Sequence, residues 1–144
     1  MKLCTIGFTG KTAEDFFSRL RSGRVKRILD VRLNNTGQLA GFSKRDDLKF
    51  FTKEILAAEY VHLPLLAPTQ EMLDEYRKEK REWDLYEKRF RELMAEREIE
   101  KKLERDLIDG GCLLCSEDKP HQCHRRIVAE YLKEKWSNVE VLHL

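Results

Sequence analysis

The sequence predicts one three-layer α/β domain over residues 1–144, with a five-stranded, mainly parallel sheet and helices on both faces. Its 144 residues are about the length of one ordinary domain. Five short apolar runs alternate with segments of helical periodicity, and strands separated by helices form parallel sheets with covered crossovers. A densely charged stretch at about 70–109 predicts a helical insertion before the fourth strand.

The first two predicted strands are each followed by a polar or glycine-containing turn. The apolar run at 3–7 ends in such a turn and predicts strand one. Thr12 then caps a helix whose apolar residues recur at helical spacing. Strand two is expected at 25–31, and a polar loop at 34–41 follows it. This loop is long enough to have a functional role.

The middle of the chain predicts a second helix, a third strand and the insertion. Apolar residues between 48 and 56 are typical of an amphipathic helix. Strand three, at 60–63, is stopped by Pro64. From 72 to 108, apolar residues recur at intervals of three, four or seven among dense charges, which predicts two helices. We expect their aromatic residues either to cover a pocket or to mediate a homodimer; they are Trp83, Tyr86 and Phe90.

The last third of the chain predicts two more strands around one helix. A pair of glycines leads into a fully buried strand at 112–115. The segment 127–132 provides the apolar face of a helix, and strand five is expected at 139–142. Polar side chains that follow the strands are therefore candidates for a binding site, because ligands of parallel α/β sheets bind outside the carboxyl ends of the strands.

Composition argues against a DNA-binding protein and against a membrane-spanning one. The chain has 28 Lys and Arg against 26 Asp and Glu, a net charge of +2. This balance lacks the footprint of a dedicated duplex-DNA binder and disfavours a nucleic-acid partner without excluding it. No apolar run approaches the roughly 20 residues of a membrane span. We expect a cytoplasmic protein without membrane contact, in which four cysteines serve as thiols, ligands or catalytic groups more often than as disulfides.

Four polar positions at the ends of strands one and two are candidates for substrate binding: Gly7, Thr9, Asp30 and Arg32. Asp30 and Arg32 flank an apolar residue, so both side chains leave strand two on one face. If strand one is central, with strand four on one side and strand two on the other, these residues converge with those that follow strand four.

The segment 115–126 is the richest in reactive groups. Four of its residues are candidates for catalysis, namely Cys115, Glu117, Cys123 and His124, and two for binding, namely Arg125 and Arg126. Cys123 and His124 are expected at the start of a helix, where unpaired N–H groups and the helix dipole favour anions and thiolates.

Three chemical interpretations of this segment stay open. In the first, a cysteine thiolate attacks an electrophile, Glu117 or His124 moves the proton, and Arg32 with Arg125 or Arg126 holds an anion. In the second, the two cysteines and His124, with or without His121, bind zinc, although the spacing differs from common structural zinc sites. In the third, the cysteines are buried or redox-labile thiols, and the helix start binds phosphate without covalent chemistry.

Several segments together resemble domain-of-unknown-function family 488. The most specific are Asp30-Val31-Arg32, Leu113-Leu114-Cys115-Ser116-Glu117 and Cys123-His124-Arg125-Arg126. The resemblance spans nearly the whole chain and implies a Rossmann-like α/β domain whose pocket is formed by the residues at the strand ends. It implies no reaction.

These observations predict an enzyme that acts on an anionic small molecule, nucleotide-like or phosphorylated, through cysteine thiol chemistry. A non-enzymatic sensor of the same ligand and a zinc-stabilised interaction domain are the alternatives. The leading hypothesis includes no metal, and the sequence identifies no cofactor.

Overall fold

Five buried runs of the sequence form a parallel sheet in the computed structural model, which describes residues 1–36, 41–78, 82–117, 120 and 122–144. The strands lie in the order β3-β2-β4-β1-β5, and every pairing is parallel. They are β1 (Lys2–Gly7), β2 (Arg27–Asp30), β3 (Glu59–His62), β4 (Gly111–Cys115) and β5 (Glu140–His143).

The centre of the sheet differs from the expectation. The order considered from the sequence had strand one between strands two and four, whereas in the structure β4 lies between β1 and β2. All five residues of β4 are buried, which suits a strand covered on both faces. β1 is almost as fully buried as β4, so the order of elements along the chain does not show which of the two lies at the centre of the sheet. The carboxyl ends of the three strands nevertheless lie side by side, since Gly7 is opposite Cys115 and Asp30 is opposite Leu114.

Helices cover both faces of the sheet. In the described part of the chain they are α1 (Ala13–Ser22), α2 (Arg45–Leu56), α3 (Gln70–Lys78), α4 (Trp83–Glu96), α5 (Ile99–Lys102), α6 (Arg105–Ile108) and α7 (His124–Lys135). Apolar side chains of α1 and α2 pack on one face, with Cys4 and Cys112 of the sheet. Those of α3 to α7 pack on the other, with Leu113 and Cys115. This is the expected three-layer architecture.

The charged insertion contains more helices than expected. The prediction of two helices is wrong, because four lie between Gln70 and Ile108 in the described residues. The breaks have local causes. Glu98 adopts a left-handed backbone conformation, with a φ of 50°, and separates α4 from α5. Leu103 and Glu104 are extended and separate α5 from α6.

The start of α1 shows how the sequence sets an element boundary. The hydroxyl of Thr12 accepts a hydrogen bond of 3.1 Å from the backbone N–H of Asp15, as its predicted capping role requires. Throughout the described ranges, every helix falls short of the combined length and hydrophobicity that crossing a bilayer would require.

Candidate functional site

A cavity of about 630 Å³ opens at the carboxyl ends of β1, β2 and β4. The loops that follow these three strands form part of its wall, and helices α3 and α4 of the insertion form the rest. The described residues that line it are Phe8, Thr9, Gly10, Lys11, Arg32, Leu33, Asn34, Pro68, Leu73, Tyr76, Trp83, Tyr86, Cys115, Ser116, Glu117, Gln122, Cys123 and His124.

Two cysteines and a histidine meet on one side of this cavity. Cys115 is the last residue of β4, Cys123 precedes α7 as its N-cap, and His124 is the first residue of that helix. The two Sγ atoms are in disulfide contact, and the Cα atoms are 7.2 Å apart. All three side chains are buried, with exposed fractions of 5%, 2% and 8% in chain order. Strand and helix start thus bring together the two thiols that the sequence selected.

The orientation of His124 determines what its ring can do. Its Nε2 lies 2.7 Å from the carbonyl oxygen of Val31, and a carbonyl only accepts hydrogen bonds. Nε2 therefore carries the proton, and Nδ1 has a lone pair in the neutral ring. Nδ1 lies 3.6 Å from Sγ of Cys115. This nitrogen is placed either to accept the proton of the Cys115 thiol or to coordinate a metal ion.

The same three residues offer a compact set of donor atoms. Ligand atoms of Cys115, Cys123 and His124 all lie within 4.8 Å of one another. Two thiolates and an imidazole are donors that zinc prefers, and catalytic zinc sites use three protein ligands with an open fourth position. The cavity would supply that position. His121, the further zinc ligand considered from the sequence, lies outside the described residues, as do Asp118 and Lys119.

Arg32 reaches the cavity from the end of β2 and is held by Asp30. Nε and Nη2 of Arg32 donate hydrogen bonds of 2.9 Å to the two carboxylate oxygens of Asp30. The Tyr60 hydroxyl and the Asn35 side-chain amide also donate to this carboxylate, at 2.5 and 3.3 Å. Burial opposes ionisation of Asp30, but the hydrogen bonds and charge of Arg32, with the hydrogen bond from Tyr60, outweigh it and hold the pKa of Asp30 below its ordinary value.

One donor of Arg32 has no partner among the described residues. Nη1 is buried and makes no hydrogen bond to any described residue, although the side chain lines the cavity. The guanidinium lies over the ring of Phe8, with its carbon 5.3 Å from the ring centroid. Leaving a charged donor unsatisfied in a buried position is costly, so such a group marks a place where an anion is expected to bind.

The other sequence-selected residues divide into two groups. Thr9 and Glu117 line the cavity. Gly7 and Arg125 instead shape the loop after β4, because Nη1 of the buried Arg125 donates a 2.5 Å hydrogen bond to the Glu117 carbonyl. A Cβ atom on Gly7 would lie 1.6 Å from that same carbonyl oxygen. Only glycine therefore lets the loop approach β1.

Arg126 does not join the cavity. Its guanidinium forms ion pairs with Glu87 of α4 and Glu130 of α7. Neither Arg125 nor Arg126 belongs to the described lining of the cavity. The anion-holding role expected of either one beside Arg32 stays a prediction. Among the sequence-selected arginines of the described chain, Arg32 alone lines the cavity.

Sequence reasoning missed Tyr76 in the aromatic wall and the groups that support Asp30. Tyr76 joins Trp83 and Tyr86 in lining the cavity, which favours the pocket-covering alternative for these rings. Their spacing at helical intervals was a signal, but core packing gives the same pattern. Tyr60 gave no signal, since its contact with Asp30 depends on the pairing of β2 with β3. Asn35 contacts Asp30 from the loop that follows β2.

The fold and the site define a parallel α/β protein with a cysteine–histidine cluster and a buried arginine at the carboxyl ends of its strands. The chain belongs to the domain of unknown function family DUF488, whose model matches residues 12–132. That range contains Cys115, Cys123, His124 and Arg32. No curated protein and no solved structure matches the chain significantly.

Proposed function

We propose that the protein is a cysteine-dependent enzyme that acts on an anionic small molecule, phosphorylated or nucleotide-like, bound in the cavity. One observation carries this proposal. A cysteine beside a histidine lone pair and an arginine with an unused donor line the same cavity, namely Cys115, His124 and Arg32. The first two provide a nucleophile, and the third provides a charge for its substrate.

In the reduced protein, Cys115 is the nucleophile. Its thiol proton passes to Nδ1 of His124, and the hydrogen bond to the Val31 carbonyl keeps the ring in the orientation that this transfer needs. Cys123 lies in disulfide contact with Cys115, so this bond must be reduced by an external thiol, which becomes oxidised in turn, before Cys115 can act as the nucleophile.

The anionic group of the substrate binds at Arg32. Because Asp30 occupies Nε and Nη2, the guanidinium is fixed before a ligand arrives, and Nη1 is the donor that remains. A preorganised charge loses little conformational entropy on binding. Thr9 and Ser116 add hydroxyl groups to the same lining.

Two alkylating reagents that react alike but differ in charge test the proposal. Iodoacetate is anionic and iodoacetamide is neutral; with either, the cysteine sulfur forms a bond to carbon and iodide leaves. After reduction at a fixed neutral pH, mass spectrometry follows each cysteine. We expect Cys115 to prefer iodoacetate relative to Cys4, which is also buried but lies on the other side of the sheet. Inorganic phosphate is expected to slow the iodoacetate reaction more than the iodoacetamide reaction.

Variants separate the roles. Arg32→Gln is expected to abolish the preference for iodoacetate, and Arg19→Gln, in an exposed ion pair, is expected to keep it. Circular dichroism establishes that each variant folds. If Cys115 reacts no faster than Cys4 and phosphate has no effect, the proposal is wrong.

In a screen of phosphorylated compounds, loss of turnover in Cys115→Ser with retained binding supports the enzyme. Binding without turnover in the wild type instead indicates a sensor.

The cluster of donor atoms favours a second candidate, a zinc site formed by Cys115, Cys123 and His124. Native mass spectrometry of protein purified under reducing conditions tests it. One zinc ion per chain, lost in both Cys115→Ser and Cys123→Ser and retained in Cys4→Ala, would support this candidate. Both cysteines would then resist alkylation until a chelator is added.

A further inference from the structure

We infer that the cavity contains a second subsite, formed by Tyr76, Trp83 and Tyr86, which binds the planar ring of the ligand, so that the ligand is a nucleotide rather than a simple phosphorylated molecule. The inference rests on the proposed anion site at Arg32 and specifies what lies beyond the anion. The subsite belongs to the insertion, because Tyr76 lies in α3 and the other two rings lie in α4.

The three rings form one continuous surface. Trp83 stacks on Tyr86, with centroids 5.1 Å apart and planes inclined by 25°. Tyr76 meets Trp83 edge-on at 5.6 Å and lies 5.1 Å from Tyr86. All three line the cavity, and Tyr76 and Trp83 remain partly exposed. Aromatic surface left uncovered in a concave site is suited to stacking with a planar ligand.

Phe90 supports these three rings and links them to His124 of the cysteine–histidine cluster. Phe90 is fully buried and stacks on Tyr86, with planes 9° apart. Phe90 also contacts His124, at a centroid distance of 5.4 Å. The row Trp83, Tyr86, Phe90 and His124 therefore runs from the wall to the cysteine partner. A rigid platform loses little entropy when a ring binds to it.

Size and charge agree with a ligand of two parts. A cavity of about 630 Å³ lies in the range of sites for whole organic ligands and greatly exceeds what a phosphate group needs. Lys11 follows β1 and Arg32 follows β2, whereas Tyr76, Trp83 and Tyr86 come from the insertion. Asn34 and Gln122 add amide groups, which can recognise the edge of a base.

Isothermal titration calorimetry of the reduced full chain tests the subsite. The probes are ribose 5-phosphate and the four common nucleoside 5′-monophosphates, which share the sugar phosphate and differ in the base. We expect at least one nucleotide to bind about ten- to a hundredfold more tightly than ribose 5-phosphate, as stacking of one base on aromatic side chains predicts. Trp83→Leu should remove most of this difference without weakening ribose 5-phosphate. Leu85→Ala, an exposed position of the same helix, should leave it unchanged.

The outcomes are distinguishable. Equal affinities of ribose 5-phosphate and all four nucleotides, or no binding of any nucleotide at millimolar concentration, would overturn the subsite. If Cys115 still prefers iodoacetate in that case, the proposed function stands and only the subsite fails. If Trp83→Leu does not fold, the comparison of nucleotides with ribose 5-phosphate on the wild-type chain still tests the subsite. Trp83→Phe keeps an aromatic ring and is expected to retain most of the affinity difference between them.

Discussion

The carboxylate of Asp30 holds the guanidinium of Arg32 in a bidentate pair, in which Nε and Nη2 each donate a hydrogen bond of 2.9 Å. Asp30 is fully buried and Arg32 is 3% exposed. A buried pair gains little net stability over apolar residues, because removing both charges from water is costly. A role at the cavity therefore explains the pair better than stability does, because Asp30 fixes the position of Nη1 of Arg32.

Asp30→Asn should destabilise the fold by about 3–5 kcal/mol, because it leaves the buried charge of Arg32 without its counter-charge. The replacement keeps the size of the side chain, so the loss reports charge rather than packing. Urea unfolding at neutral pH measures the free energy. Asp15→Asn is the matched control, since Asp15 forms an exposed pair with Arg19 that is worth at most about 1 kcal/mol. Equal losses in the two variants would contradict the prediction.

Tyr60→Phe should cost about 1–3 kcal/mol and change the acid sensitivity of the protein. The Tyr60 hydroxyl donates to Asp30, and burial together with this carboxylate raises the pKa of Tyr60. Because the pKa of Asp30 is lowered in the folded state, its ionised form stabilises the fold above about pH 4, and this stabilisation is lost as the pH falls through the folded pKa. In Tyr60→Phe, the pKa of Asp30 in the folded state should rise toward its value in the unfolded state.

Urea unfolding of Tyr60→Phe at several pH values between about 2 and 6 checks this second effect. The variant should lose less stability over that range than the wild type, although it is less stable at pH 6. Tyr131→Phe is the control, because the Tyr131 hydroxyl donates to Glu100 and has no contact with Asp30. An unchanged pH dependence in Tyr60→Phe would show that the hydroxyl does not stabilise ionised Asp30.

Local sequence was sufficient for the parts of the fold and site that depend on neighbours along the chain. Alternating apolar runs gave the strands, and Thr12 marked the start of α1. Asp30 and Arg32 pair as expected because residues two apart in a strand share a face. Cys123 and His124 begin α7 as expected, because the segment joins a buried strand to an amphipathic helix.

The remainder depends on contacts between distant segments. The position of β4 between β1 and β2 follows from which buried strands pair, and the local pattern does not contain this information. Arg125 and Arg126 are equivalent in sequence, yet one binds the Glu117 carbonyl and the other binds Glu87 of the insertion. Tyr76 and Trp83 gain their place in the cavity from the packing of α3 on α4.

His143 should make the fold less stable in mild acid. Partial desolvation lowers the pKa of His143, although its side chain is still exposed, and Arg125 acts in the same direction, opposed by Glu130. Nδ1 of His143 shares a 2.6 Å hydrogen bond with the hydroxyl of the fully buried Thr5. The unfolded state thus binds a proton at higher pH than the folded state, and stability falls as the pH decreases below about 6.5 toward the folded pKa.

His143→Gln keeps a hydrogen-bonding side chain and removes the titration. The difference in unfolding free energy between pH 7.5 and pH 5 should be smaller in this variant than in the wild type. Denaturation by urea at the two pH values provides the measurement, and Glu140→Gln, an exposed change on the same strand, serves as the control. Identical differences in wild type and His143→Gln would contradict the assignment of this effect to His143.

Gly7→Ala should damage both the fold and the site, because a Cβ atom would lie 1.6 Å from the Glu117 carbonyl oxygen and 3.0 Å from Nη1 of Arg125. Both neighbours are held in place, since Arg125 donates to that same carbonyl. The loop after β4 must then move away from β1, and the 3.0 Å hydrogen bond from the Thr9 N–H to the Ser116 carbonyl is expected to break. Forcing an extra carbon into a packed site costs about 1–3 kcal/mol, and more where backbone must shift.

Two measurements check this prediction. The urea midpoint of Gly7→Ala should fall, and Cys115 should lose its preference for iodoacetate because the loop that follows it has moved. Gly41→Ala is the matched control, since a Cβ atom there meets nothing within 4 Å. It should be neutral or stabilising by up to about 1 kcal/mol, because alanine restricts the unfolded chain. If Gly7→Ala retained wild-type stability and reactivity, the close approach of the loop to β1 would not be what positions the site.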